Sequence, residues 1–331
     1  MSDLQEQRRP LDRRIITTSL SLSLLLLALI AGSASAQSID IPAMLTPDAK
    51  GPPTMVNLQY GHNFKTDVDD AGTEFARDTA LFSVARRIKL SEKASFFAIG
   101  SYTFYQYNFS SNSGNNYQWD DVHRLVIGGM FGYDLNDRWR LVGGGIVRSW
   151  GEGGADFGDS VTGGLLGGFD YHPSSDFSIG LLVGAFSSLE DSLALLPVPT
   201  LKWNFAEDWK LQVGIVAVID PGVGAEVTWQ VSETVAIGTG ATFQNRRYRL
   251  SDKNRVLGGN SRTDEGGIGE DSGLPVFASI QWKPTPRSSL DLAAGVVLAG
   301  NVRVESDTGG RISDDDFDPA PFVKLRAVIA F

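Results

Sequence analysis

Three histidines, His62, His123 and His172, are the side chains best suited to acid–base chemistry near neutral pH. His123 follows Asp120 and Asp121, and a neighbouring carboxylate of this kind can orient an imidazole ring. A hydrolase also needs an activated nucleophile within reach of its base, and no serine motif accompanies His123. We therefore keep hydrolysis as the third of three hypotheses and predict no catalytic residue and no enzyme.

One acidic segment has the spacing of a calcium-binding loop, through Asp67, Asp69, Gly72 and Asp78. Ala71 stands at a ligand position, however, and no helical pattern flanks the segment. The chain also contains no cysteine, which excludes disulfides and thiolate metal sites. We therefore predict no metal site and no cofactor.

Segments of roughly ten residues that alternate between apolar and polar side chains recur from residue 54 to the end of the chain. In the last segment, Val323, Leu325 and Ile329 share an apolar face with Phe331. Fourteen candidate strands begin near Met55, Ala76, Ala94, Val122, Arg140, Val161, Ser178, Pro197, Lys210, Gly222, Ala236, Pro275, Leu290 and Phe322. An even number of antiparallel strands lets the first and last pair and close a ring. The pattern predicts an all-β, closed, up-and-down antiparallel barrel over residues 54–331, with twelve strands as the alternative count.

Short and long connections alternate along the sequence. Six short polar turns are predicted at 90–94, 135–138, 172–176, 206–208, 231–234 and 284–289. The other connections are mostly longer and rich in Gly, Asn or Asp, at 65–78, 110–119, 151–160, 251–272 and 305–318, with tighter ones near 187–192 and 220–222. Barrels that span bacterial outer membranes have this asymmetry, with short periplasmic turns and longer external loops.

Residues 1–36 have the composition of a cleaved export signal. Four arginines precede an apolar core at 22–30, and Ala34-Ser35-Ala36 provides a small-residue cleavage site before Gln37. The apolar core is too short to cross a membrane as a helix. Residues 37–53 contain four prolines and predict an extended lead-in before the barrel. A transmembrane barrel in the cell outer membrane is the expected result.

The polar faces of the strands are expected to point into the barrel, because the apolar faces must contact lipid. The charged residues that we predict to line the lumen are Arg124, Lys202, Lys210, Glu226, Arg246, Lys324 and Arg326. Fourteen strands enclose more space than side chains must fill, so one interpretation is a water-filled lumen. The other is that interior ion pairs close it, and the sequence favours neither.

Aromatic residues follow several of the short turns. Such rings collect where a membrane meets water, since they combine an apolar body with a polar edge. The residues that we predict to form an interfacial belt are Trp139, Phe177, Trp203, Trp209 and Trp229. The alternative is that these rings cover the core of a soluble sheet.

The sequence carries a formal net charge of −10, which argues against nucleic acid as a partner. Acidic residues concentrate in the predicted loops 65–78, 151–160, 251–272 and 305–318. A negative rim of this kind would attract cations. Simple solvation of the loops explains the same charges, and we favour that explanation.

Together, the export signal, the alternating strands and the terminal phenylalanine resemble those of Gram-negative outer-membrane β-barrels. In that family the barrel assembly machinery recognises a last strand that ends in phenylalanine, and Phe331 with Leu325 and Ile329 matches this pattern. The resemblance therefore implies outer-membrane lipid and the assembly machinery as partners. The segment LLPVPTLKWNFAEDWKL, residues 195–211, also resembles an element of uncharacterised barrel families, those described as domains of unknown function. Fatty-acid transporter barrels have fourteen strands too, but they carry an N-terminal hatch, for which 37–53 is too short.

The function that we favour from these patterns is a porin-like pore or passive transport channel for small solutes. The second hypothesis is a structural or surface-binding barrel whose lumen is filled by side chains, and the hydrolase is the third. The residues that surround the narrowest part of the lumen would separate the first two.

Overall fold

The computed structural model describes residues 54–68, 72–111, 119–190, 192–216, 222–251 and 267–331. The predicted export signal 1–36 and lead-in 37–53 lie outside them. One sheet contains β1 (Thr54–Val68), β2 (Thr73–Lys89), β3 (Ala94–Ser111), β4 (Asp121–Asp134), β5 (Trp139–Glu152), β6 (Val161–Ser174), β7 (Phe177–Ser187), β8 (Leu193–Ala206), β9 (Trp209–Val216), β10 (Gly222–Gln230), β11 (Val235–Arg249), β12 (Ile268–Thr285), β13 (Ser288–Glu305), β14 (Arg311–Phe317) and β15 (Ala320–Ala330). Within these ranges, no helix is long and apolar enough to cross a membrane.

The sheet closes on itself between the first and last strands. From β1 to β14 each strand pairs antiparallel with the next, and β15 pairs with β1 from Met55↔Ala330 to Asn63↔Phe322. β14 and β15 form two halves of one crossing, because both pair with β13 and with β1. Pro319 lies between them and has no N–H to donate to the ladder. The wall therefore has fourteen crossings, and the predicted closed antiparallel barrel is confirmed.

The short turns gather at one end of the barrel, which we call the short-turn end. They are tightened by side-chain oxygens that accept backbone N–H groups, as in other polar turns. Ser91 Oγ accepts from the N–H of Ala94 at 3.0 Å, and Asn136 Oδ1 accepts from Trp139 at 3.0 Å. β1 begins and β15 ends at this end, where the N–H of Phe331 donates to the carbonyl of Thr54 at 2.8 Å. The opposite end is called the loop end.

Three predicted loops at the loop end are shorter than expected, because strands extend into them. β1 and β2 pair as far as Val68↔Thr73, where a loop was expected over 65–78. β14 begins at Arg311, inside the expected loop 305–318, and β12 begins at Ile268 rather than near Pro275. Hydrogen bonds between strands do not depend on contact with lipid. Strands of up to 18 residues therefore extend beyond the roughly 9–11 residues that a strand needs to cross a membrane.

The outer face of the wall is apolar and the inner face is mixed. In β4, Leu125 and Ile127 are exposed on the outside, Ile127 by 62%, while Arg124 and Val126 are buried inside. Large exposed apolar side chains recur in this way on strand after strand around the ring. The inner face therefore positions whatever polar site the protein has.

Candidate functional site: a polar cavity beneath a packed plug

Aromatic side chains fill the interior near the loop end. The rings of Tyr107 and Tyr248 lie 5.6 Å apart although their strands, β3 and β11, are on opposite sides of the ring. The ring centres of Trp150 and Tyr105 lie 6.0 Å apart, and those of Trp119 and Tyr248 lie 5.9 Å apart. All five side chains are almost fully buried. We call this group, with the charged residues described next, the plug.

A buried carboxylate joins opposite walls within the plug. Asp271 of β12 accepts hydrogen bonds from Arg77 of β2, from Arg246 Nη1 at 2.7 Å and from the Tyr107 hydroxyl at 2.8 Å. The side chains of Asp271, Arg77 and Arg246 are all buried. Because charges lose much hydration energy inside a protein, such a group is stable only when its members stay paired.

The rim of the barrel is also drawn together at the loop end. Arg249 of β11 forms a parallel bridge with Gly151 of β5, and its Nη2 donates to the Leu189 carbonyl at 2.7 Å. Arg247 pairs with Glu190 of the β7–β8 loop at 2.8 Å. We call these contacts of Arg247 and Arg249 the rim latch. They hold the end of β11 against the end of β5 and against the β7–β8 loop above the plug.

Towards the short-turn end, the interior opens into a cavity of about 660 Å³. Met55 and Val328, near the two ends of the barrel chain, form part of its wall. Its polar wall belongs mainly to β8–β13 and β15, and its ionisable residues are Asp170, His172, Lys202, Lys210, Glu226, Lys283, Asp291 and Arg326. The cavity therefore has both signs of charge, carried by a set of residues that only partly overlaps the predicted lumen residues.

Four of the seven predicted lumen residues surround this cavity: Lys202, Lys210, Glu226 and Arg326. Arg326 Nε donates to Asp291 Oδ2 at 2.7 Å, between directly opposite positions of β15 and β13. Glu226 and Lys210 are diagonal neighbours across the β9–β10 ladder, where Glu226 pairs with Gln212 and Lys210 with Thr228.

The other three predicted lumen residues are buried in packed parts of the interior and do not line the cavity. Arg246 belongs to the plug, and the Arg124 guanidinium lies 4.7 Å from the Trp150 ring centre. Lys324 is buried beside Gly61, where a Cβ would come within 2.8 Å of its Cε. The interior is therefore packed at the height of the plug and open at the height of the cavity.

Asp291, Lys283 and Asp170 are cavity residues that the sequence interpretation omitted. Asp291 lies between Leu290 and Leu292, and this alternation was a usable signal for an inward carboxylate. In β9, Val213 and Ile215 alternate with Gln212 and Gly214, a pattern that would place both on the outer face, yet both border the cavity. Gly214 between them has φ +119°, which interrupts the regular alternation of β9.

The predicted interfacial aromatics lie beside the turns of the short-turn end and contact one another. Phe177 packs against Trp203 at 6.5 Å, and Trp209 stacks on Trp229 at 5.7 Å with ring planes 9° apart. Trp139 contacts Tyr171 at 4.6 Å on a neighbouring strand. The four tryptophans remain partly exposed on the outer face.

His123 lies near the loop end and not at the cavity. Its Nε2 is 2.9 Å from Asp121 Oδ2 and its Nδ1 is 2.7 Å from the Tyr102 hydroxyl. His62 makes a similar contact with Asp78, at 2.8 Å. The acid that a hydrolytic histidine needs is therefore present, but the other partner of His123 is a tyrosine rather than a serine. The hydrolase hypothesis gains no nucleophile from these contacts.

The geometry defines the class of this protein as a closed fourteen-strand antiparallel β-barrel with a plugged loop end. No family model and no curated protein matches the sequence. Among solved structures, the chain is similar to a Pseudomonas aeruginosa FadL homologue, with 10% identity, a TM-score of 0.48, and coverage of 85% of this chain and 91% of that one. It is similar to a deltaS2 mutant of the TodX monoaromatic hydrocarbon channel, with 12% identity, a TM-score of 0.45 and coverage of 88% and 93%. It is also similar to LpxR from Salmonella typhimurium, with 11% identity, a TM-score of 0.33 and coverage of 84% and 100%.

Proposed function

We propose that this protein is an outer-membrane barrel that acts as a gated passive channel for small hydrophilic solutes. The observation that carries the proposal is the polar cavity of about 660 Å³ inside a closed wall, with the plug between it and the loop end. A cavity of this size can hold a small organic solute. The plug makes the present conformation a closed one.

A membrane location is supported by the outer face of the wall. Side chains such as Ile127, Leu165 and Phe131 are more than half exposed there. A continuous apolar surface of this extent is unfavourable in water and favourable against acyl chains. Closure of the sheet also leaves no unpaired strand edge within lipid. The predicted export signal at 1–36 would deliver the chain to that membrane, with the short-turn end on the periplasmic side.

Gating is supported by the composition of the plug. A lumen that is permanently filled can be packed with apolar side chains, and a buried ion pair adds no stability over such packing. Asp271 and its two arginines are instead groups that water can solvate if the walls separate. The rim latch joins the extended ends of β11 to the opposite rim, so its release would free the strands above the plug.

The test is conductance of the purified full chain in planar lipid bilayers. We expect rare steps of conductance from the wild type, and frequent steps when Arg249→Met is combined with Glu190→Gln, because both changes weaken the rim latch. Arg86→Met, which removes an exposed arginine of β2, is the matched control and should behave as the wild type does. Silence from every variant would contradict the channel.

The second candidate is a structural barrel with a closed lumen, and the burial of the plug favours it. It predicts silent membranes for the wild type and for the latch variants alike. The bilayer experiment therefore decides between the two functions.

A further inference from the structure

Among the residues that the structure describes, two charged groups of the cavity wall lack a hydrogen-bonded partner. Within the described ranges, Lys210 and Glu226 form no hydrogen bond or ion pair with other side chains, although each lies within the electrostatic influence of the other. Charged groups that face a cavity without a partner are available to a ligand, since a ligand can supply the missing hydrogen bonds.

Glycine keeps space open beside one of these groups. A Cβ at Gly238 would lie 2.6 Å from Glu226 Oε1 and 2.6 Å from Ser279 Oγ, so any larger residue would displace both side chains. The carboxylate of Glu226 therefore rests over bare backbone at the cavity wall, with hydroxyl and carboxylate oxygens close together. Such a group of acceptors suits an ammonium group.

A second carboxylate oxygen in the same wall is incompletely satisfied. Asp291 is 3% exposed, and its Oδ2 accepts the hydrogen bond from Arg326. Its Oδ1 is buried and has no protein partner among the residues of the described ranges. A buried oxygen without a donor costs free energy, and rotation of the Asp291 carboxylate towards the cavity would let a bound solute supply that donor.

We propose that the cavity binds a small zwitterionic solute of about dipeptide size, which carries one carboxylate and one ammonium group. Lys210 and the neighbouring Lys283 receive the carboxylate, and Glu226 with Ser279 Oγ receives the ammonium group. An apolar solute would leave these charges desolvated and unpaired, and a simple anion would leave Glu226 without a partner. This inference deepens the proposed function and rests on it, since the solute has to enter the cavity.

The experiment is equilibrium dialysis of the purified full chain in detergent with radiolabelled alanylalanine. Propionate and propylamine, which carry one charge each, are the comparison probes. We expect alanylalanine to bind at least about tenfold more tightly than either. Glu226→Gln and Lys210→Met should each weaken its binding about tenfold, and their matched controls, Glu92→Gln and Lys93→Met in an exposed turn, should not.

Folding of each variant is checked by the shift of the folded barrel on unheated gels, so lost binding can be told from lost structure. Equal binding of alanylalanine and propionate, or unchanged binding by a folded Glu226→Gln variant, would overturn the inference. If alanylalanine binds while all bilayers stay silent, the channel is contradicted and the binding site stands. If conductance is observed and alanylalanine does not bind, the channel stands and the zwitterion site is wrong.

Discussion

Asp271 is the residue whose replacement should affect this barrel most. It is 1% exposed and accepts hydrogen bonds from Arg77, Arg246 and Tyr107, which come from three other strands. Asp271→Asn keeps the shape of the side chain and removes its negative charge. Two buried guanidinium groups then face each other across the lumen without an acid between them.

The expected loss follows from the cost of leaving buried charge uncompensated. Removing one member of a buried ion pair destabilises proteins by about 3–5 kcal/mol. We expect Asp271→Asn to fall in that range, because the side chains of both arginines are also almost fully buried. The same change should raise the frequency of conductance steps, since repulsion between the arginines favours separation of the plug.

Urea unfolding of the barrel in lipid vesicles, followed by tryptophan fluorescence, measures the loss. Asp307→Asn, in the exposed turn between β13 and β14, is the control and should leave the midpoint unchanged. The double variant Asp271→Asn, Arg246→Met should lose less than the sum of the two single variants, because it removes one of the two stranded charges. A midpoint for Asp271→Asn equal to that of the wild type would refute the electrostatic account of the plug.

Three further predictions concern the rim, the belt and the terminus. Burial raises the pKa of Glu190, but the hydrogen bond and charge of Arg247 outweigh burial and lower this pKa below its ordinary value of 4.5. The Glu190 carboxylate therefore stabilises the fold above its unfolded pKa, and this contribution is lost as pH falls through the folded pKa. When the unfolding midpoint is plotted against pH, Glu190→Gln should make its fall at acidic pH less steep. Trp209→Ala should lower the free energy of unfolding by about 0.5–1.5 kcal/mol beyond the effect of the lost apolar area, because it removes the ring stack on Trp229. The vesicle unfolding assay measures this difference. Deletion of Phe331 should lower the amount of folded barrel recovered from outer-membrane fractions without lowering its total synthesis, whereas equal recovery would contradict an assembly role for that residue.

The short-turn end could be predicted from the sequence, and the loop end could not. The turn before Trp139 is set by residues that lie next to each other in the chain, such as Asn136, whose side chain accepts the N–H of Trp139. The loop-end segments look like loops because they are acidic. Asp314 is nevertheless accommodated in β14, since Arg303 and Arg311 pair with it at 3.3 and 2.8 Å. Those partners depend on strand register, which composition does not reveal.

Arg246 and Lys210 have the same position in the alternating pattern, but Arg246 is packed in the plug and Lys210 borders the cavity. Alternation assigns a side chain to the inside or the outside of the wall, and it assigned both residues to the inside. It does not determine whether an inner side chain meets the opposite wall. Arg246 does so, because β11 and β5 approach each other at Arg249 and Gly151, whereas Lys210 lies on a strand that borders the open part of the lumen. Residues of the cavity and of the plug therefore have the same sequence pattern, and only the path of the wall across the ring separates them.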